Sequence, residues 1–239
     1  MNKSAGFFVT GTDTEVGKTL VSGALIVKLR EQQINAIGFK PVVAGTYKDK
    51  SGITLNEDLE TLRIASDLSH GELSLCPYVL DKPAAPHLVA AQQGLKLEMS
   101  VMHNAFQNIQ KHADCIVVEG AGGLLVPLNQ DEDLGGFAKK IDLPIIFVVG
   151  MKLGCLNHAL LTYEVIKARN LKIAGWIANA LEEEMPLLQG NLQTLRARID
   201  APFLGLIPSL PKELQKTTDS PYSIEALHFA AKHIQLPNQ

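Results

Sequence analysis

Apolar residues along the chain fall into two patterns: short unbroken runs, and spaced positions that recur at a helical period. Phe7 to Thr10 is a run that leads into a glycine-rich stretch. Thr19 to Arg30 keeps the helical period, with Leu20, Ala24 and Val27 on one face and further apolar residues beside them. That pattern predicts a broadly buried helix. Asn35 to Phe39 predicts a second strand, and Met99, Met102, Phe106 and Ile109 predict a helix ending near Lys111. Cys115 to Val118 is a run ending at Glu119, and Pro144 to Val149 is a run ending at Gly150. Leu156, Ala159, Leu160, Tyr163 and Ile166 mark another helix; Ile173 to Ala178 and Phe203 to Ile207 close the series as strands.

Runs that are apolar throughout predict strands covered on both faces. The expected fold is therefore α/β: three layers, a mostly parallel sheet with helices on both faces. Each predicted strand ends in a polar or glycine-rich stretch: Gly11 to Thr19, Lys40 to Gly45, Glu119 to Gly123, Gly150 to Cys155, Asn179, and Pro208. Ligands of open α/β sheets bind outside the carboxyl ends of the strands, so these six stretches should converge on one site. No repeat, linker or low-complexity segment divides the chain, and one domain over residues 1–239 is expected.

Composition narrows the classes. A net charge of -3 without a basic stripe argues against a nucleic acid partner. The apolar runs are far short of a membrane span, so no membrane association is expected. Cys76, Cys115 and Cys155 are odd in number and form no C-x-x-C pair, which fits a reduced, cytoplasmic setting better than a disulfide or zinc framework.

The chemistry starts at "GTDTEVGKT", Gly11 to Thr19. The common phosphate loop has four residues between its glycines; here there are five, Thr12 to Val16, two of them acidic. The stretch lies between a predicted strand and a predicted helix, where loop amides and a helix N-terminus favour an anion. That context favours a nucleotide site of P-loop NTPase type over a glycine turn with a surface lysine. Lys18 would reach the β- and γ-phosphates, and the Thr19 hydroxyl would bind Mg²⁺. Asp13 should point away from phosphate. Glu119 ends an apolar run, where a carboxylate can hold Mg²⁺ directly or through water, and Gly120, Gly122 and Gly123 would let the backbone pass close to a ligand. Asp58 is a further carboxylate near a helix start, where a cap or a solvated charge is the commoner role. Lys40 follows the second strand, where it would either be solvated or stabilise a transferring phosphoryl group.

Taken together, "FVTGTDTEVGKT", "GFKPV", "VVEGAGG", "VVGMKLGCLNHALLT", "GWIAN" and "LGLIP" resemble the dethiobiotin synthetase family, in order and over nearly the whole chain. The longer loop is itself a feature of that family. The resemblance implies an ATP- and Mg²⁺-dependent ring closure that joins CO2 to 7,8-diaminopelargonate in a homodimer. It places Lys18 and Lys40 beside the transferring phosphate, and Thr19, Asp58 and Glu119 around Mg²⁺. Thr14 and Glu15 would lie near the substrate amines and phosphate. Glu15, Val16, Gly17, Lys18, Thr19 and Leu20 would bind nucleotide with Gly120, Ala121 and Gly122. Asn179 would bond adenine, with Pro208, Ser209 and Leu210 lining the base pocket. Lys152, Gly154, Cys155 and Asn157 would bind the substrate carboxylate across the dimer interface. The sequence departs from the family at Ala44, where many members carry a hydroxyl that contacts substrate; Thr46 is the nearest replacement. Three rival readings are a ParA/MinD-like ATPase switch, whose extra loop lysine is lacking at Thr12 to Thr14, an amidotransferase-type synthetase, which needs a further domain, and a small-molecule kinase, against which "EGAGG" and the diamine-compatible loop count.

Overall fold

A computed structural model describes residues 5–237. The first apolar run forms β1 (Ala5–Gly11); the chain turns through the glycine loop into α1 (Lys18–Glu31) and returns as β2 (Ala36–Phe39). Three two-residue strands follow, β3 (Val43–Ala44), β4 (Tyr47–Lys48) and β5 (Thr54–Leu55), and then α2 (Glu57–Ala65). β6 (Val79–Leu80) pairs with β3 and precedes α3 (Pro86–Gln92) and α4 (Met99–Ile109). The second half alternates strictly: β7 (Cys115–Gly123), α5 (Leu134–Ile141), β8 (Ile145–Met151), α6 (Cys155–Ala168), β9 (Ile173–Ala180), α7 (Leu188–Arg198), β10 (Phe203–Ile207) and α8 (Ile224–Lys232).

The main sheet has six strands in the order β10-β9-β8-β1-β7-β2, and every neighbouring pair is parallel. Its carboxyl ends therefore share one edge, as expected. Successive strand residues face opposite sides, so a strand buried at every position is covered on both faces. All seven residues of β8 are buried. Phe8 meets Phe137 of α5, Phe39 meets Phe106 of α4, and Trp176 packs between Phe147 and Phe203. The first two pairs tie the sheet to its covering helices, and the third group links β8, β9 and β10 across the sheet.

Several strands run further than their apolar runs predicted, β7 and β9 with polar residues. β7 continues through Glu119 to Gly123, and β9 continues through Asn179 to Ala180. Both additions pair with a neighbour: Val9 opposes Glu119, and Gly150 opposes Asn179. Parallel pairing needs only backbone groups, so polar residues stay in the strand when the neighbour is long enough. The chain after Leu210, for which no element was predicted, returns to the body: α8 packs on α1, and a Cβ at Gly23 would collide with Leu227.

α5 starts at a clamp. Asp133 caps it by accepting from the Gly136 amide at 2.8 Å and also takes both Arg169 nitrogens, at 2.6 and 2.7 Å. Asp133→Ala is expected to cost about 1–2 kcal/mol through the lost cap. A urea midpoint that does not move would show that the clamp contributes nothing. Among the described residues no helix is long and apolar enough to cross a membrane.

Candidate active site

The loop between β1 and α1 is held from inside. Val16 is fully buried, and a Cβ on either Gly11 or Gly150 would collide with its side chain. Its carbonyl accepts from the Asn179 amide nitrogen at 3.0 Å. Gly17 caps α1 with φ +90°, a left-handed conformation that favours glycine, and a Cβ there would run into the Asn179 amide. Glu15 is also left-handed, at φ 59°, which is uncommon for a side chain of its size. The extra residue is thus accommodated at an exposed tip formed by Thr14 and Glu15, while Val16 and Gly17 keep the anchored end. Asp13 has two jobs. Its carbonyl accepts from the Lys18 ammonium at 2.8 Å. Its carboxylate accepts from the Thr14 amide at 2.7 Å and stands 3.7 Å from the Lys152 ammonium.

Four side chains from four segments meet behind this loop. Thr19 comes from the first turn of α1, Lys40 follows β2, Asp58 lies in the first turn of α2, and Glu119 lies in β7. α2 starts where Asn56 caps it, accepting from the amides of Asp58 and Leu59 at 3.1 Å, and the Asn56 side chain also donates to the Gly45 carbonyl. That anchor fixes Asp58. The Thr19 hydroxyl lies 2.7 Å from Asp58 Oδ1 and 2.8 Å from Glu119 Oε1. Lys40 Nζ donates to Glu119 Oε1 at 2.5 Å and to Asp58 Oδ2 at 2.8 Å. Lys40 is 3% exposed and Glu119 is 0% exposed. Glu119 Oε2 is buried and has no hydrogen-bond partner among the described residues.

Burial and charge decide the protonation states. Burial pulls the Lys40 ammonium down, but Asp58 and Glu119 outweigh it and hold its pKa above the ordinary value. Burial pushes the Asp58 carboxyl up, but Lys40 outweighs it, and the pKa falls to about 2. For Glu119 burial wins over Lys40, and its pKa is raised. Lys18 is lowered to about 8, first by burial and then by the charge of Lys40. A phosphate group beside Lys18 would favour its charged form. Affinity for ADP should therefore weaken as the pH rises through about 8, by up to about tenfold per unit. Calorimetry at pH 8.5 in two buffers of different ionisation enthalpy should show proton uptake on binding; none would remove Lys18 from phosphate contact. The stability sign is opposite to that of a salt-bridged lysine. The cost of burying charged Lys18 opposes folding below about pH 8 and fades towards the ordinary value of 10.5.

Other expected residues fall along the same sheet edge. Ile207 pairs with Asn179, which sets Pro208, Ser209 and Leu210 beside the end of β9. Gly120, Ala121 and Gly122 continue β7 past Glu119. Leu20 is buried in α1. Ala44 lies off the main sheet, half-buried in β3, and among the described residues the Thr46 hydroxyl reaches only the Asp81 carbonyl, at 3.5 Å. Gly154 caps α6 with φ 92° and no side-chain bond to its first amides; Cys155 is buried and Asn157 is exposed. Two residues in the tail had no sequence signal. Lys216 pairs with Glu57 at 2.7 Å, and the Tyr222 amide donates to the Thr61 hydroxyl at 3.0 Å. Burial, then the charges of Asp58, Glu57 and Glu119, push Tyr222 up to about 12. The tail therefore lies against the helix that carries Asp58.

Known proteins resemble this chain to different depths. Residues 5–217 match a family profile described as an AAA domain. The chain is 46% identical over 208 residues to the ATP-dependent dethiobiotin synthetase of Aromatoleum aromaticum, a match covering 87% of this chain and 92% of the relative. The chain belongs to the dethiobiotin synthetase family. Two further dethiobiotin synthetases agree: that of Ralstonia nicotianae, 47% identical over 86% of this chain and 89% of its own, and that of Vibrio parahaemolyticus, 39% identical over 92% and 96%. Among solved structures, a MinC–MinD cell division complex from Aquifex aeolicus superposes with a TM-score of 0.58 at 14% identity, covering 95% of this chain and 94% of the matched chain. A ParA family ATPase from Chlorobium tepidum gives 0.56 at 15% identity, covering 97% of this chain and all of the other. These two likenesses concern the P-loop NTPase fold alone, and the rival reading as an ATPase switch has only that distant fold relationship behind it.

Proposed function

We propose that this dethiobiotin synthetase homologue uses ATP to join CO2 to 7,8-diaminopelargonate and close the ureido ring of dethiobiotin. The observation that carries the reading is the cluster of Thr19, Lys40, Asp58 and Glu119 at the anchored end of the long phosphate loop. One substrate amine adds to CO2 and loses a proton, giving a carbamate. A carbamate oxygen displaces ADP from the γ-phosphorus. The second amine then attacks the carbonyl carbon of the mixed anhydride, phosphate leaves, and the ring closes. No step needs a covalent bond to the protein, so its residues contribute position and charge.

Lys18 sits at the start of α1 and holds the β- and γ-phosphate oxygens beside the amides of Glu15 to Leu20. Lys40 carries the positive charge that stabilises the carbamate and the transferring group. Thr14 and Glu15, at the exposed loop tip, face the substrate amines, and a carboxylate there favours their cationic form in binding. Asn179, Pro208, Ser209 and Leu210 hold the base. A hydroxyl and two carboxylates, one of them with an unpartnered buried oxygen, form a hard donor set that suits Mg²⁺. Thr19, Asp58 and Glu119 would hold that ion, which would supply positive charge to offset that of the phosphates. The uncapped first turn of α6, from Gly154 to Asn157, with Lys152 beside it, takes the substrate carboxylate. We assign that contact to a homodimer interface: Leu153, next to the turn, is 99% exposed, and Leu125 and Leu161 are also exposed. One domain supplies all these groups.

Incubation with diaminopelargonate, bicarbonate and MgATP is the test. Dethiobiotin and ADP should appear in equal amounts. ATP turnover without a ureido product would sink the reading.

A further inference from the structure

Lys40 holds one oxygen of each carboxylate that the proposed metal site would use. Its ammonium touches Glu119 Oε1 at 2.5 Å and Asp58 Oδ2 at 2.8 Å. A magnesium ion takes oxygens at about 2.0–2.1 Å. Sharing an oxygen would set the ammonium and the ion within about 4 Å of each other, where their charges repel. Counting the protein's own charges, the two carboxylates balance either a dication or the ammonium plus a charge elsewhere, and not both. Lys40 can leave without moving the backbone. Its amide stays bound to the Leu75 carbonyl at 2.9 Å, while four methylenes let the head swing.

We infer that Lys40 is an internal stand-in cation for the metal site, and that loading Mg²⁺ displaces it towards the substrate. The inference rests on the reading of Asp58 and Glu119 as metal ligands. It adds an order of events: without metal, Lys40 is locked in an ion-pair cluster and out of reach of a carbamate. Metal loading both completes the nucleotide site and releases Lys40 for the transferring group. The stand-in also compensates the charge of the fully buried Glu119 when no metal does so.

The direct test is side-chain NMR of the whole protein with ¹⁵N-labelled lysine. A buried, paired ammonium exchanges its protons slowly, so Lys40 should give a resolved signal in ADP with EDTA, identified through its own side-chain carbons. Adding Mg²⁺ should move or abolish that signal. A Lys40 signal that stays in place, while Mn²⁺ resonance spectra show metal bound with ADP, would overturn the inference. In that outcome the metal uses Glu119 Oε2 and leaves the ion pair intact. A second readout separates occupancy from general electrostatics. With ADP bound, Lys40→Met should tighten Mn²⁺ by about tenfold or more, whereas Lys216→Met, which removes a charge near Asp58 but outside the cluster, should change it by less than about threefold. Equal effects would also overturn it. Neither measurement uses the dethiobiotin assay, so an active enzyme with an unmoved Lys40 would refute this inference and leave the proposed function standing.

Discussion

Lys18→Ala is expected to lower kcat by about 10²- to 10³-fold, on the scale of losing one preorganised donor to a charged transition state. Lys18 sits at the start of α1, 6% exposed, inside the proposed phosphate cradle. Its folding role is small. Its ammonium donates to the Asp13 carbonyl, and it carries a burial cost reflected in a pKa of about 8. Removing it takes away a desolvated charge and breaks no ion pair at salt-bridge distance among the described residues. The melting temperature should therefore hold or rise slightly. Steady-state turnover and calorimetry on the same preparation check both halves; activity within tenfold of the parent would remove Lys18 from the chemistry.

Lys40→Met should behave differently, although the two lysines look alike in the sequence. It too should collapse turnover, but it should also destabilise the metal-free protein by about 3–5 kcal/mol, because it strands a buried carboxylate. Asp58 is partly open to water and can relax; Glu119 is fully buried and cannot. Adding Glu119→Gln to Lys40→Met should restore part of that loss, since the second change removes the stranded charge. Urea unfolding of the parent, both single variants and the double variant in EDTA measures the coupling. Additive losses would mean that the 2.5 Å contact contributes little to folding.

The central sheet was legible because its strands are apolar without interruption, and only strands covered on both faces need that composition. The smaller elements were not. β3 to β6 are two residues each, too short to show a period. α7 is largely polar and owes its placement to a few buried leucines, Leu192 and Leu195 among them. Glu119 and Asn179 read as residues following a strand, but pairing with longer neighbours draws both into one. The site followed the same division. The loop motif named Lys18 and Thr19 directly, because a phosphate cradle needs those residue types at that spacing. The contact between Asp13 and Lys152 and the tail residues Lys216 and Tyr222 left no trace, since each depends on where distant segments are packed.

By itself the sequence determined the α/β class, the phosphate loop with its extra residue, and the family. Those rest on local patterns: an apolar run, a helical period, a fixed spacing of glycine, lysine and threonine. Only the tertiary structure decided what the charges do. Thr19 and Glu119 lie 100 residues apart and meet at 2.8 Å. Lys40, whose position alone could not tell a solvated lysine from a catalytic one, is buried between two carboxylates. Asp13 turns its carbonyl to Lys18 and its carboxylate towards Lys152. A chain's spacing carries the geometry of one loop, but the balance of buried charge is a property of segments that only folding brings together.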